Sequence, residues 1–221
     1  MKHWWADSNE NSRLEQVDLD KYQALVAEAP PHRRIDEIIV HHTWSPTVAQ
    51  WRGRQTWQGI DRYHEVSRGW SDIGYHLGVG PDLSIWLLRP LPRAGGHTLN
   101  HNAHSVGVSM IGCYDTGRDD PKAIMPYTAS LVRALIDRYA LSVAEVRFHR
   151  EFAAKSCPGT GIDLGAFRAY VRSGTVPQAA PTPEPPPVRY FAENGADWRE
   201  HWVHNGPDDE PQGKVYLRPR P

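Results

Sequence analysis

No stretch of this chain approaches 18 consecutive apolar residues, so a membrane-spanning helix is not expected. The opening residues, Met1-Lys2-His3-Trp4-Trp5-Ala6-Asp7, lack the apolar core of a secretory signal, and the expectation is synthesis in the cytoplasm. Neither sign of charge dominates: 25 Lys and Arg face 26 Asp and Glu, a formal net charge of −1. That balance argues against a protein held to nucleic acid by bulk attraction to phosphates. Cysteine is scarce, and two among 221 residues exclude a disulfide-dense scaffold. Two common site signatures are missing as well. His64-Glu65-Val66-Ser67-Arg68 has Arg where a zinc protease needs its second His, and Gly78-Val79-Gly80 starts a dinucleotide fingerprint without completing it. What is abundant is histidine, with 12 residues beside 9 Trp. Histidine is the commonest metal ligand and a frequent acid or base, so its placement matters.

Hydrophobic residues make up 39% of the chain, enough to bury a real core. Residues 1–32 read as an N-terminal extension, partly helical. Leu19, Tyr22 and Val26 fall at helical spacing within an amphipathic stretch from Leu14 to Val26, which Pro30-Pro31 ends. Ile35 to Val40 is a β-branched run that reads as a buried strand. Residues 56–68 carry Trp57, Ile60, Tyr63, His64 and Ser67, one face of a helix. Gly74 to Val79 and Leu83 to Leu88 read as strands around a Gly80-Pro81-Asp82 turn, and Val106 to Ile111 as another strand. Pro126 to Leu141 is an amphipathic helix with Leu131, Leu135 and Ile136 inward, and Asp163 to Val171 is a short last helix. Strands interleaved with helices imply an α/β or α+β sheet domain, placed at 33–175. Residues 176–187 hold Pro177, Pro181, Pro183, Pro185, Pro186 and Pro187, a semi-rigid linker. Residues 188–221 form a short tail with Tyr190, Phe191, Trp198, Trp202 and Tyr216, too short for a large core of its own.

Metal-capable side chains cluster at strand ends and in loops. His41-His42 follows Ile38-Ile39-Val40, His149 follows Val146-Arg147-Phe148, and Cys157 lies eight residues later. Neutral imidazoles and a thiolate suit Zn²⁺, and three protein ligands plus water make a catalytic rather than a structural site. A disulfide between Cys113 and Cys157 is the competing use of the thiol, one that cytoplasmic synthesis disfavours.

Four segments then occur in order: Ile38-Ile39-Val40-His41-His42-Thr43, Trp70-Ser71-Asp72-Ile73-Gly74-Tyr75-His76, Ser105 to Gly112, and Lys155-Ser156-Cys157-Pro158-Gly159. Together they resemble the zinc-dependent N-acetylmuramoyl-L-alanine amidases of the type-2 amidase and peptidoglycan-recognition-protein superfamily, which includes lysozyme-like phage amidases. The resemblance runs from about residue 33 to 173 and implies a central mixed β-sheet flanked by helices, with a zinc groove on one face. It puts the first zinc ligand on His41, with His42 as the rival. Adjacent strand residues point to opposite faces, so both cannot readily bind one ion. The second and third ligands match His149 and Cys157. Some recycling relatives use Asp at the third place, and Cys157 sides with the lysozyme-like and recognition-protein branches. Tyr75 matches the catalytic tyrosine and Lys155 a lysine needed in the phage enzymes, both candidate donors to an oxyanion. His97 and Asn102 fall in a loop that contacts substrate in relatives. Cys113 has no family role and reads as a buried strand residue. The implied activity is hydrolysis of the amide between N-acetylmuramic acid and L-alanine, by a monomeric phage or prophage endolysin that reaches the wall after release. A cytoplasmic amidase recycling soluble muropeptides is a second reading. A non-catalytic peptidoglycan receptor is a third, although receptors of that kind commonly lose the cysteine.

Overall fold

The computed structural model describes residue 4 and residues 14–30 and 33–175. The chain divides into units 1–181 and 182–221. The linker and aromatic tail expected at 176–187 and 188–221 lie outside the described residues.

The element order is β1 (Glu15–Val17), α1 (Leu19–Glu28), β2 (Glu37–His42), α2 (Arg54–Arg62), β3 (Leu77–Val79), β4 (Ile85–Leu87), β5 (Ser105–Met110), α3 (Ile124–Arg138), β6 (Val146–Phe148) and α4 (Leu164–Ser173). One six-stranded sheet runs β1-β4-β3-β5-β2-β6. The pairs β3–β5, β5–β2 and β2–β6 are parallel, whereas β1–β4 and β4–β3 are antiparallel. This is the mixed α/β sheet that the motifs imply.

β2 lies between two parallel neighbours, and all six of its residues are buried. That is why it reads as a continuous apolar run until its two histidines. Ile38 and Val40 turn to one face, with Val106, Val108, Leu77 and Val79 of the neighbouring strands, and form the main core with α1, α3 and α4. In α3, Leu131, Leu135 and Ile136 are buried as expected, and residues 126–132 are buried in succession. Across the sheet, Trp57 and Ile60 of α2 pack on Trp86, Ile73 and Ile111 in a second cluster. α2 passes directly into a π-helical turn, Tyr63–Ser67, so helix spans the expected stretch. Of its expected apolar face only Trp57, Ile60 and His64 are buried, while Tyr63 and Ser67 are exposed.

The N-terminal stretch differs from its sequence reading. Asp18 accepts the Lys21 N–H at 2.7 Å and caps α1, so the helix begins at Leu19. The residues before it form β1 on the sheet edge instead. The strand expected from Gly74 is regular only from Leu77, because the Gly74 N–H donates to His64 Nδ1 and its carbonyl accepts from Gly96.

Candidate metal centre

β2 and β5 pair with Glu37 opposite Ser105, Ile39 opposite Gly107, and His41 opposite Ser109. The alternation of Ser105-Val106-Gly107-Val108-Ser109-Met110 therefore puts large side chains in the main core and small ones beside His41. The small ones leave a hollow that His97 fills. A Cβ on Gly107 would come within 2.4 Å of the His97 ring, so glycine is required for the imidazole to lie against the strand.

His41, His149 and Cys157 come together at this end of the sheet, with one donor atom from each within 4.8 Å of the others. His41 Nδ1 lies 3.6 Å from Cys157 Sγ. Tetrahedral zinc with Zn–N of about 2.05 Å and Zn–S of about 2.3 Å would need an N···S edge of about 3.6 Å. The donor set and its spacing fit that ion. His42 lies outside this cluster: by alternation it shares the Ile38 and Val40 side of β2, and its Nδ1 accepts the Tyr114 N–H at 3.1 Å. Both cysteines are free thiols, so the disulfide alternative does not hold. Cys113 is buried as expected, though just past β5 rather than within it.

The sequence did not reveal what holds these ligands. The Arg150 N–H donates to the Cys157 carbonyl at 2.8 Å, and its guanidinium donates to the carbonyls of Gly159 and Ile162, each at 2.7 Å. The residue after His149 thus clamps the loop that carries Cys157. Gly159 sits at φ +121°, where a Cβ would meet the Tyr114 carbonyl at 2.3 Å. Only glycine lets that loop close over the end of β5.

His97 and Asn102 are placed behind the centre, and neither is among the residues that line the groove beside it. His97 is buried behind His41, with Nδ1 3.0 Å from His41 Nε2 and Nε2 3.3 Å from Ser105 Oγ. The Asn102 side chain accepts the N–H groups of His97 and Thr98, each at 2.8 Å, and fixes the loop. Proton order follows from the partners. The Ser105 hydroxyl donates to the His101 carbonyl at 2.7 Å, so it can only accept from His97 Nε2–H. His97 Nδ1 is then bare and accepts from His41 Nε2–H, with the Thr98 hydroxyl a second donor in reach at 3.1 Å. That leaves the His41 Nδ1 lone pair facing Cys157. A ligand's outer partner sets its tautomer in this way, and losing one costs about 10–100-fold in metal affinity. His97→Ala is expected to lose zinc affinity by that factor in a chelator competition, and unchanged affinity would contradict the relay.

Burial holds the His149 imidazole down to about 4 and His41 and His97 well below their usual value. All three are therefore neutral at pH 7, the form that binds metal. Burial also lowers His42 and His64 to about 4. In the unfolded chain each histidine titrates near about 6.5. Below that pH the unfolded state binds more protons than the folded one, so stability falls as pH drops from about 6.5 toward 4. Denaturant titrations of the chelated protein at pH 7.5, 6 and 5 should show a steadily falling midpoint. A flat profile would contradict the burial of neutral imidazoles. The Cys157 thiol is pushed by burial up to about 12, partly offset by the His42 N–H and by Lys155 and Arg150. A thiolate at this position therefore calls for a cation beside it.

The Tyr75 ring centroid lies 5.3 Å from that of His41. Burial, followed by the nearby Cys157, raises its pKa, so its phenol stays a neutral donor. Lys155 is exposed in the loop before Cys157, and its charge acts on His41, His149 and Cys157. From Tyr75 a groove of about 500 Å³ opens along Thr43, Gln50, Gln55, Tyr63 and His64. His64, rejected in sequence as a protease ligand, is a wall of this groove, stacked on Trp70 at 4.6 Å. Amide and hydroxyl groups with an exposed tyrosine suit a ligand that is part sugar and part peptide.

Known proteins resemble this chain in sequence and in fold. Peptidoglycan-recognition protein SC1a of Drosophila melanogaster is 33% identical over 128 residues, which cover 56% of this chain and 68% of that protein. N-acetylmuramoyl-L-alanine amidase of Homo sapiens is 31% identical over 134 residues, 57% of this chain and 22% of that protein. Among solved structures, the endolysin amidase LysCS from Clostridium intestinale URNW matches with a TM-score of 0.55 at 24% identity, over 75% of this chain and 93% of that one. At that identity the likeness is one of fold. The Amidase_2 family model, described as N-acetylmuramoyl-L-alanine amidase, matches residues 31–160. That span is more than half of the chain and takes in His41, Tyr75, His149 and Cys157, so the chain belongs to the Amidase_2 family, whose members act on or bind peptidoglycan.

Proposed function

We propose that the chain is a zinc-dependent N-acetylmuramoyl-L-alanine amidase that cleaves the bond between the lactyl group of N-acetylmuramic acid and L-alanine. One observation carries this reading: His41, His149 and the Cys157 thiol converge beside Tyr75, which lines the adjoining groove. A bare recognition site needs the groove but has no use for a buried thiol aimed at two neutral imidazoles. His41, His149 and Cys157 would hold the ion, which when bound would supply Lewis acidity and activate a water near neutral pH. His97 keeps the proton of His41 on Nε2, so Nδ1 stays available as a ligand. Tyr75 holds its phenolic proton and donates a hydrogen bond to the amide oxygen as that atom gains charge. Lys155 places a positive charge at the mouth of the site. The groove walls orient the peptide and sugar on either side of the bond.

An endolysin role is proposed on the fold likeness to the Clostridium enzyme, which covers most of that chain. A synthetic N-acetylmuramoyl peptide with L-alanine first should be split into sugar and peptide by the full chain. The reaction should stop with a chelator and return with added zinc. Binding of this peptide without release of a free alanine amine would favour a receptor.

A further inference from the structure

A second group of metal-capable side chains lies at the opposite end of β2. Glu37, His101 and His104 each present one donor atom within 4.8 Å of the others. The carboxylate is the buried member, with its side chain only 10% exposed. Its Oε1 is hydrogen-bonded to His101 Nδ1 at 2.5 Å, a contact that an entering ion would open and replace, and lies 3.4 Å from His104 Nε2. The two imidazoles are 27% and 37% exposed, so the open side of the cluster faces solvent and an ion has a way in.

The backbone that carries these imidazoles is pinned from several directions. The Asp36 N–H donates to the His104 carbonyl at 2.8 Å, beside Glu37 itself. Arg33 donates to the carbonyls of Ala103 at 3.1 Å and Ser105 at 2.8 Å. The Ser105 hydroxyl holds the His101 carbonyl, and the Asn102 side chain closes the start of the loop. Phe152 packs on the His101 ring at 3.9 Å between centroids. Two imidazoles are thus carried past a buried carboxylate on a stiff loop, the preorganisation that a metal site requires.

We propose that Glu37, His101 and His104 form a second divalent-cation site that takes zinc or another borderline ion. Two imidazoles with one carboxylate suit Zn²⁺, Co²⁺ or Ni²⁺ better than Mg²⁺ or Ca²⁺, which prefer all-oxygen shells. Glu37 precedes His41 by four residues on one strand, so the two sites lie about 13 Å apart at ~3.3 Å per residue. They share a face of the sheet, and the loop 97–104 spans them. Its first residue supports His41, and its last two histidines meet Glu37. An ion here is structural: it ties the loop to the start of β2 and thereby steadies His97. The inference does not depend on the amidase reading.

The test is a Co²⁺ titration of the untagged full chain after chelation, followed by absorption. Two equivalents should bind, one with a thiolate charge-transfer band and one without. Cys157→Ser should lose the band and keep one equivalent, and the added Co²⁺ should raise its melting temperature. His101→Ala/His104→Ala should keep the band, bind one equivalent and still cleave muropeptide. Glu37→Gln, which keeps the side-chain volume, should behave like that pair. A single equivalent carrying the thiolate band in the native sequence would overturn the second site and leave the first standing. Two equivalents in Glu37→Gln and in the double variant would overturn it as well. A single equivalent without the band, lost in Glu37→Gln, would support this site while overturning the centre at Cys157.

Discussion

Cys157→Ser is expected to lose bound zinc at the catalytic centre and amidase activity together. The serine hydroxyl is a hard, neutral donor where the site is built around a soft anion. The surroundings give it no help. Burial pushes the Cys157 thiol up to about 12, so even this group ionises only with a cation at hand, and a serine alcohol is far less acidic. Losing an outer partner of a ligand costs about 10–100-fold in metal affinity. Losing a direct ligand should cost more than about 100-fold, enough to empty the centre at micromolar zinc. The fold should survive, because Arg150 holds the loop through carbonyl groups that the substitution leaves in place. The measurement pairs metal content with initial rates on soluble muropeptide. A Cys157→Ser protein that keeps full activity would show that the thiol is a bystander.

Tyr75→Phe and Lys155→Ala should separate chemistry from metal binding. Neither side chain belongs to the three-donor cluster, so both variants should retain zinc at the level of the parent. Tyr75→Phe removes one hydroxyl and keeps the ring that packs near His41 and His64. A lost oxyanion donor typically costs about 10²–10³ in kcat, and a fall of that size is expected with KM nearly unchanged. Lys155→Ala should show a smaller loss that shrinks at high salt, since its charge is exposed and screened. Unaltered kcat in Tyr75→Phe would make the tyrosine a packing residue and remove the phenolic donor from the mechanism.

The parts of the molecule that could be read from the chain are those set by local pattern. The α3 helix is legible because Leu131, Leu135 and Ile136 recur at helical spacing on its buried side, although residues 126–132 are covered all round. β2 is legible because both of its neighbours are parallel and both of its faces are covered. That His41, His149 and Cys157 come together was legible through short motifs that mark a strand end and a loop. Alternation showed that His41 and His42 must point apart, but not which one faces the groove. That depends on the core lying on the Ile38 and Val40 side. Other features depend on contacts far apart in sequence. β1 is three residues long and owes its conformation to its pairing with β4, which leaves almost no periodicity to detect. The role of His97 arises from a loop laid over Gly107, and the signal was the run of small residues at alternate positions of β5. The Arg150 clamp has no local signature, because its acceptors are backbone carbonyls of the Cys157 loop and the segment after it.

Digestion of purified peptidoglycan by the zinc-loaded full chain, followed by mass analysis of the soluble products, tests the central claim most directly. The account predicts free stem peptides with an L-alanine amino terminus and sugar strands left unbroken, with no release by Cys157→Ser. Products cut within the sugar strand or within the peptide, or tight binding to the wall with no peptide set free, would contradict it.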